Sequence, residues 1–114
     1  MADRDVELLQ GTLDVLVLKA LSWGPMHGYA IARWIGSTTD GDITVLDGAL
    51  YTSLHRMDAR GWIEAEWGLS EKGKRARFYR PTTEGRRRLR AEAASWQRYA
   101  SAVSKVLGAT AQPA

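Results

Sequence analysis

Apolar residues recur at helical spacing in the first third of the chain. The first such stretch follows Thr12, a suitable N-cap, and ends before Gly24 and Pro25. Its apolar positions are spaced i, i+3, i+4, i+7 and i+8, and they are Leu13, Leu16, Val17, Ala20 and Leu21. This spacing predicts a helix with one broad face turned to a core. A second helix is predicted over residues 28–35, with Ile31, Ala32 and Ile35 buried.

Residues 47–63 predict a third helix with a polar outer face. Asp47 is a suitable N-cap, and Gly61 suits the left-handed conformation that follows a helix end. The apolar face holds Leu50, Leu54 and Met57, at i, i+4 and i+7. The opposite face carries small, hydroxyl-bearing and basic side chains: Gly48, Thr52, His55 and Arg56, with Ala49 and Tyr51 at its edges. Such a face can approach base edges and phosphates closely, although many surface helices show a similar pattern.

After Gly61 the period of the pattern changes from helical to alternating. Residues 63–67 and 75–80 alternate on either side of a glycine-containing turn, which predicts a β-hairpin with basic residues at its tip. Pro81 should end the second strand because it has no N–H to donate. Residues 36–42 have the composition of a loop, and the β-branched run 43–46 predicts a further short strand. Four tryptophans are predicted in the core or at its edge: Trp23, Trp34, Trp62 and Trp67.

The last helix is predicted to run from its cap at Thr82 to about Leu107, with Glu84 near its positive end. Apolar residues recur along it at alternating steps of four and three, the spacing of a heptad seam. The seam consists of Leu89, Ala93, Trp96, Ala100, Val103 and Leu107. Such a seam predicts packing against another helix, and in a symmetric dimer Trp96 could approach its own copy. Two such indoles could hold a flat aromatic ligand between them, or they could simply fill a hydrophobic interface.

Composition excludes several classes of protein. The 114 residues suffice for one small domain, and they include no cysteine and only two histidines, so neither a thiolate metal site nor a zinc site is expected. No catalytic set of residues and no phosphate-cradling motif is present, so neither an enzyme nor a cofactor is expected. With no secretory signal and no apolar run of spanning length, the expected location is the cytoplasm, without a membrane partner.

The charge is distributed unevenly along the chain. The net charge is +3, yet residues 1–70 carry five Lys and Arg against ten Asp and Glu, a net −5. Residues 71–114 carry eleven basic against three acidic residues, a net +8, concentrated between Lys72 and Arg90. A basic patch of this kind attracts nucleic acid, although it could also be a solvated surface.

Three helices followed by a hairpin is the order of a winged helix-turn-helix domain, in which the third helix enters the major groove of DNA. Specific segments also resemble the PadR family of bacterial transcriptional regulators. They are GTLDVLVLKAL (11–21), GPMHGYAIA (24–32), GALYTSLHRMDARGWIEAEW (48–67) and RARFYRPTTEGRRRL (75–89). The resemblance extends from about Leu8 to Leu107, and it is to the members with a single carboxy-terminal dimerisation helix.

The resemblance implies a recognition helix beginning at the segment Gly48–Tyr51, an HGY element at His27–Tyr29, and a wing at Trp62–Arg80. The expected DNA-binding residues are Gly48, Ala49, Tyr51, Thr52, His55, Arg56, Lys72, Lys74, Arg75, Arg77, His27 and Tyr29. Two positions depart from the family. Thr52 stands where proline is common, which leaves base contacts there open, and Pro81 stands where leucine is common, which can change the angle between wing and last helix.

The fold expected from the sequence is mainly α with a small β-hairpin. Residues 1–81 form the winged helix-turn-helix domain, residues 82–107 the dimerisation helix and residues 108–114 a flexible tail. Residues 1–10 are expected to form an acidic arm whose apolar residues pack on a neighbour. The expected function is that of a homodimeric repressor of an inverted-repeat operator that responds to a small, aromatic effector at Trp96. The alternatives are a winged-helix protein-interaction module and a small-molecule carrier without operator binding.

Overall fold

The structure is a computed structural model that describes residues 11–113. This part of the chain forms four helices and three short strands. The elements are α1 (Thr12–Leu21), β1 (Met26–His27), α2 (Gly28–Thr38), α3 (Asp47–Ala59), β2 (Ile63–Leu69), β3 (Arg75–Pro81) and α4 (Thr83–Leu107). The expected order of three helices, hairpin and long helix is confirmed. The predicted arm at residues 1–10 lies outside the described residues.

The core lies where α1, α2 and α3 meet the base of the sheet. The predicted stripes supply it: Val17 and Met57 are fully buried, and Ile31 likewise. The other buried apolar residues are Leu18, Ala20, Leu21, Ile35, Leu50, Leu54, Ile63 and Tyr79. α3 buries the face that carries Leu50, Leu54 and Met57, and its opposite face is therefore left open to solvent.

The sheet has three strands rather than the expected two. The strands are antiparallel in the order β1-β3-β2, and β1 pairs Met26 with Tyr79 and His27 with Phe78. The strand expected at residues 43–46 is absent, so that prediction was wrong. Ile43 and Val45 instead pack partly buried against the core. The Ile43 N–H donates to the Thr39 hydroxyl at 3.1 Å, so a side chain satisfies it where a neighbouring strand would otherwise do so.

Three helix ends differ from the predictions by one to three residues. Thr12 and Asp47 are the first helical residues of α1 and α3, and the cap positions belong to Gly11 and Leu46. A cap residue must have a non-helical backbone, as Leu46 does at φ −81° and ψ 145°. α2 continues to Thr38, past the predicted end at Ile35, and the Thr39 hydroxyl donates to the Ile35 carbonyl at 2.9 Å where the helix stops.

The end of α3 is well defined, as the sequence predicts. Gly61 has a φ of +75° and its N–H donates to the Asp58 carbonyl at 3.0 Å. The Trp62 N–H donates to the Met57 carbonyl at 2.9 Å. These two bonds form a Schellman motif, which satisfies carbonyls that a helix end leaves open. The motif turns the chain directly from α3 into β2.

Close backbone contacts join α4 to this turn, in an arrangement we call the α4 joint (Gly61, Trp62, Thr82 and Gly85). Thr82 is the predicted N-cap and accepts a hydrogen bond from the Gly85 N–H at 3.1 Å. Its own N–H donates to the Trp62 carbonyl at 2.9 Å, and its hydroxyl donates to the Gly61 carbonyl at 2.6 Å. A Cβ on Gly85 would lie 1.9 Å from the Trp62 carbonyl oxygen, so only glycine fits.

Beyond the α4 joint, α4 leaves the core. Leu89 is partly buried against the core, but further along the seam Trp96 is 45% exposed and Leu107 is 80% exposed. None of the described helices is long and apolar enough to cross a membrane.

Two of the four tryptophan predictions were wrong. Trp34 and Trp62 pack partly buried against the core, as expected. Trp23 and Trp67 are exposed, and each lies under a cation: the Lys19 ammonium is 4.9 Å from the Trp23 ring and the Arg75 guanidinium is 4.5 Å from the Trp67 ring. A cation over an indole face is a favourable contact that leaves the ring outside the core.

Candidate nucleic-acid interface

The outer face of α3 is open, and its exposed residues are those that the sequence predicts. Gly48, Ala49, Thr52 and His55 are exposed. Tyr51 and Arg56 lie on opposite flanks of this face, and the structure attaches each of them to a different neighbour of α3.

On the Tyr51 flank, α3 forms one wall of a groove of about 960 Å³, whose other walls are the amino end of α2 and the β2–β3 hairpin. Eight of the twelve predicted DNA-binding residues line this groove: His27, Tyr29, Tyr51, His55, Lys72, Lys74, Arg75 and Arg77. The four that do not line it are Gly48, Ala49, Thr52 and Arg56, which lie on the remainder of the α3 face. The groove therefore joins residues that are up to 52 positions apart in the chain, from His27 to Tyr79.

Tyr51 and Gly28 form the contact between α3 and the amino end of α2. A Cβ built on Gly28 would lie 2.6 Å from the Tyr51 hydroxyl oxygen, so glycine makes room for the phenol. The hydroxyl consequently lies beside the first turn of α2, where backbone N–H groups are not used by the helix. A hydroxyl and such N–H groups are both donors to phosphate.

His27 caps α2 and faces the turn of the hairpin. Its Nδ1 accepts a hydrogen bond from the Ala30 N–H at 3.2 Å, and its Nε2 lies 3.8 Å from a Glu71 carboxylate oxygen. His27 is therefore the N-cap of α2. Within residues 11–113 no cluster of three or more His, Cys, Asp or Glu residues could hold a metal ion.

The two faces of the hairpin differ in charge. Arg75 and Arg77 line the groove, on the same side as Trp67, which pairs across the strands with Arg77. On the other face Arg80 forms an ion pair with Glu64 at 2.9 Å. No carboxylate of the described residues pairs with Lys72, Lys74, Arg75 or Arg77. The positive charge of the hairpin is therefore concentrated on the groove and the turn.

Tyr79 forms part of the floor of the groove and is 7% exposed. Burial raises the pKa of its phenol above the usual value of 10.0, against the opposing effect of the nearby Arg77 charge. The hydroxyl therefore stays neutral at physiological pH and can donate a hydrogen bond.

On the other flank, Arg56 is attached to α1 by a buried carboxylate. Asp14 is 8% exposed, and it accepts hydrogen bonds from Arg56 Nε at 3.1 Å, from Arg56 Nη2 at 2.5 Å and from the Ser53 hydroxyl at 2.5 Å. The hydrogen bond to Asp14 raises the pKa of Arg56 above its ordinary value, so its charge is permanent. We call this group of three residues the Asp14 cluster.

Sequence reasoning missed Asp14 and Ser53, although a signal for each was present. Asp14 lies three, four and seven residues before Val17, Leu18 and Leu21, so it is on the buried side of α1. Ser53 lies between Leu50 and Leu54 on the buried face of α3. A polar residue on each of two apolar faces requires a partner, because buried polar groups are hydrogen-bonded.

A second, smaller groove of about 290 Å³ lies between α1 and α4. It is lined by Gly11, Thr12, Val15, Leu16, Glu92, Ser95, Trp96 and Tyr99. The rings of Trp96 and Tyr99 lie 5.8 Å apart at their centroids. The predicted effector candidate therefore lies in a partly apolar groove.

Comparison with known proteins agrees with this geometry. A sequence model described as the transcriptional regulator PadR-like family matches residues 17–91. A solved PadR family transcriptional regulator from Eggerthella lenta is 35% identical, with a TM-score of 0.69 over 86% of this chain and 83% of that one.

Two further solved structures have a higher TM-score, 0.76 in each case. A transcriptional regulator from Clostridium thermocellum is 27% identical over 84% of this chain and 90% of that one. A PadR-like transcriptional regulator from Bacillus cereus is 25% identical over 89% of this chain and 96% of that one.

Proposed function

Because this chain belongs to the PadR-like family of transcriptional regulators, we propose that it is a homodimeric repressor that binds an inverted-repeat operator. Members of the family are regulators of transcription and not enzymes. The observation that carries the proposal is the groove between α3, α2 and the hairpin. It combines an open helix face, the amino end of a second helix and the four cations of the hairpin, which no carboxylate of the described residues neutralises.

Each part of this surface has a distinct role in the proposal. The outer face of α3 enters the major groove, where small residues and Thr52 allow close approach to base edges. Tyr51 and the first turn of α2, with His27 and Tyr29, contact one phosphate of the adjoining strand. The hairpin, hereafter the wing, contacts the flanking backbone through Lys72, Lys74, Arg75 and Arg77.

The proposal requires two copies of α3, which are brought together when α4 pairs one chain with a second. The seam residues Trp96, Val103 and Leu107 are exposed in the single chain, which leaves an apolar surface for a second copy. A two-fold dimer implies an inverted repeat whose half-sites lie about 10–10.5 base pairs apart, or a multiple of that spacing. Residues 1–81 then act as the DNA-binding unit, residues 82–107 as the dimerisation helix and residues 108–114 as a tail. Operator DNA as the partner implies action in the cytoplasm.

DNA binding is tested with fragments from upstream of the gene itself, by fluorescence anisotropy across a range of salt concentrations. We expect preference for one inverted repeat over unrelated DNA. Lys74→Ala and Arg77→Ala should each weaken binding to all sequences alike and lower the salt slope by about 0.9 for each phosphate that is no longer neutralised. Arg80→Ala is the matched control, because Arg80 is paired with Glu64 on the far face of the wing. Binding without sequence preference would contradict the proposal and favour an interaction module or a ligand carrier.

Effector binding is proposed at Trp96, supported by its place in the groove between α1 and α4. A planar aromatic compound could lie against the indole there, as the two rings of the Trp96–Tyr99 pair already lie against each other. Titration of tryptophan fluorescence with planar aromatic dyes tests this, with Trp96→Phe as the comparison. Quenching that persists in Trp96→Phe would exclude Trp96 as the site.

A further inference from the structure

We propose that Asp14 is a positioning residue, whose buried carboxylate holds the guanidinium of Arg56 so that its opposite edge meets an operator base or phosphate. The inference rests on the proposed function, since it requires an operator. It assigns a role in DNA recognition to a residue of α1 that cannot itself touch DNA, because its side chain is buried beneath α3.

The geometry of the Asp14 cluster leaves one edge of the guanidinium open. Asp14 takes the edge formed by Nε and Nη2 of Arg56, at 3.1 and 2.5 Å. A guanidinium has five N–H donors in a fixed planar fork, so three of them remain, on Nη1 and Nη2. The Arg56 side chain is 38% exposed, and no other described residue accepts from it. The remaining end can donate two parallel bonds to guanine O6 and N7 or to a phosphate.

The position of Arg56 on α3 places its guanidinium at the border of the proposed DNA surface. Arg56 follows Thr52 by four residues, so it lies one turn along the same side of the helix. Tyr51 lies on the other flank, beside the groove. The open face of α3 is thus bounded by Tyr51, fixed against α2, and by Arg56, fixed against α1.

The Asp14 cluster favours discrimination between DNA sequences over general electrostatic attraction to DNA. The charges of Asp14 and Arg56 compensate each other, so the pair adds little to the long-range field that draws DNA in. The carboxylate also removes rotamer freedom from Arg56 before DNA arrives, and a side chain ordered in advance loses less entropy on binding. Ser53, which is fully buried, holds the carboxylate from the core side at 2.5 Å.

The first test is Asp14→Asn, measured on operator and on unrelated DNA of the same length. The amide keeps an oxygen that can accept from Ser53, but its NH₂ group faces another donor on Arg56. We expect operator affinity to fall roughly tenfold, as for removal of one two-bond interaction with a base. Affinity for unrelated DNA should stay the same or rise, because Arg56 is no longer neutralised.

A second variant keeps the test decisive if Asp14→Asn folds poorly. Arg56→Lys retains a cation beside Asp14 but not the planar fork, so the same fall in operator preference is expected. The operator affinity of the double variant Asp14→Asn, Arg56→Lys should be no lower than that of whichever single variant binds operator less tightly. Both changes remove the same interaction with DNA, so their effects should not add. Arg60→Lys, a change on an exposed arginine at the end of α3, should keep the preference.

The outcomes separate this inference from the proposed function. Wild-type protein without operator preference would overturn both. Preference retained in folded Arg56→Lys would overturn the role of the Asp14 cluster alone. A parallel fall in affinity for operator and unrelated DNA, with a matching fall in helical signal, would reduce Asp14 to a purely structural residue and also overturn the inference.

Discussion

Gly48 is a glycine that the fold itself does not require. Its φ lies outside the left-handed region, and a Cβ there would meet nothing within 4 Å. Gly28, by contrast, is needed for the Tyr51 phenol. Glycine within a helix costs about 0.5–1 kcal/mol of stability relative to alanine. Its presence in the first turn of α3, on the exposed face, fits the close approach of DNA to the helix backbone in the proposed complex.

Gly48→Ala is therefore expected to change stability and DNA binding in opposite directions. The free energy of unfolding should rise by about 0.5 kcal/mol, since alanine favours the helix. Operator affinity should fall by about tenfold or more, because the added methyl group separates the helix from the DNA. Urea unfolding and anisotropy measure the two quantities.

Gly36→Ala is the matched control for this prediction. Gly36 lies in α2, and a Cβ there would meet only the Ile43 carbonyl oxygen, at an ordinary 3.8 Å. This variant should gain similar stability without a change in operator affinity. Equal operator affinity in Gly48→Ala and the wild type would show that no close approach occurs at Gly48.

At the scale of single residues, the burial and exposure that follow from local pattern could be predicted from the sequence. The contacts that depend on residues distant in the chain could not. The exposed face of α3 followed from the spacing of Leu50, Leu54 and Met57. The attachment of Arg56 to Asp14 did not, because 42 residues separate them and no local pattern reports which side of a helix its neighbour covers. Trp67 was misplaced because a cation over an exposed ring leaves no periodic signal.

At the scale of elements, the α4 joint fixes the long helix to the end of α3. Its contacts are to the backbone, through the carbonyls of Gly61 and Trp62. The guanidinium groups of Arg60 and Arg88 both lie over the Trp62 ring, at 5.2 and 4.6 Å from the ring centroid. The start of α4 is therefore attached to the turn that follows α3 by backbone hydrogen bonds and by ring contacts.

Gly85→Ala tests how closely the α4 joint is packed. The methyl group would lie on the Trp62 carbonyl oxygen, and backbone can move aside only by separating α4 from the turn. We expect the free energy of unfolding to fall by about 1–3 kcal/mol, as for an overpacked core. Urea unfolding measures this, and Gly36→Ala again provides a glycine without such a contact. An unchanged midpoint for Gly85→Ala would indicate a loose joint.

Most elements could be predicted from the sequence because their signals are local and long. β1 could not, because two residues carry no periodicity and are held only by pairing with β3. The caps of α1 and α3 were misplaced by one residue, since Thr12 and Asp47 satisfy the composition rule at a neighbouring position. The strand expected at residues 43–46 failed because β-branched residues also suit a loop that packs on a core.

At the scale of the whole molecule, the single chain has two unlike surfaces. One is the basic groove between α2, α3 and the hairpin, and the other is the apolar seam of α4. The heptad spacing predicted the seam, but the direction in which α4 leaves the core depends on the α4 joint, which no local pattern encodes. The exposed seam is the feature that the proposed dimer explains.

Val103→Glu is expected to prevent dimer formation, because it places a charge within the seam. Sedimentation should show a monomer at concentrations where the wild type is a dimer, and operator affinity should fall by about tenfold or more because only one half-site is then bound by each molecule. Ser101→Glu adds the same charge to α4 away from the seam and should change neither quantity. A Val103→Glu protein that sediments with the wild type would place the dimer interface elsewhere.

In the proposed dimer, the exposure of Leu107 at 80% and Val106 at 76% in the single chain also ties folding to the amount of protein present. If a second copy covers this surface, each chain is a stabilising ligand for the other, and the unfolding temperature rises with concentration. A regulator made in few copies would then be present at a concentration close to the dissociation constant of its dimer. Its abundance would decide both how many operators are occupied and how much of the chain survives proteolysis.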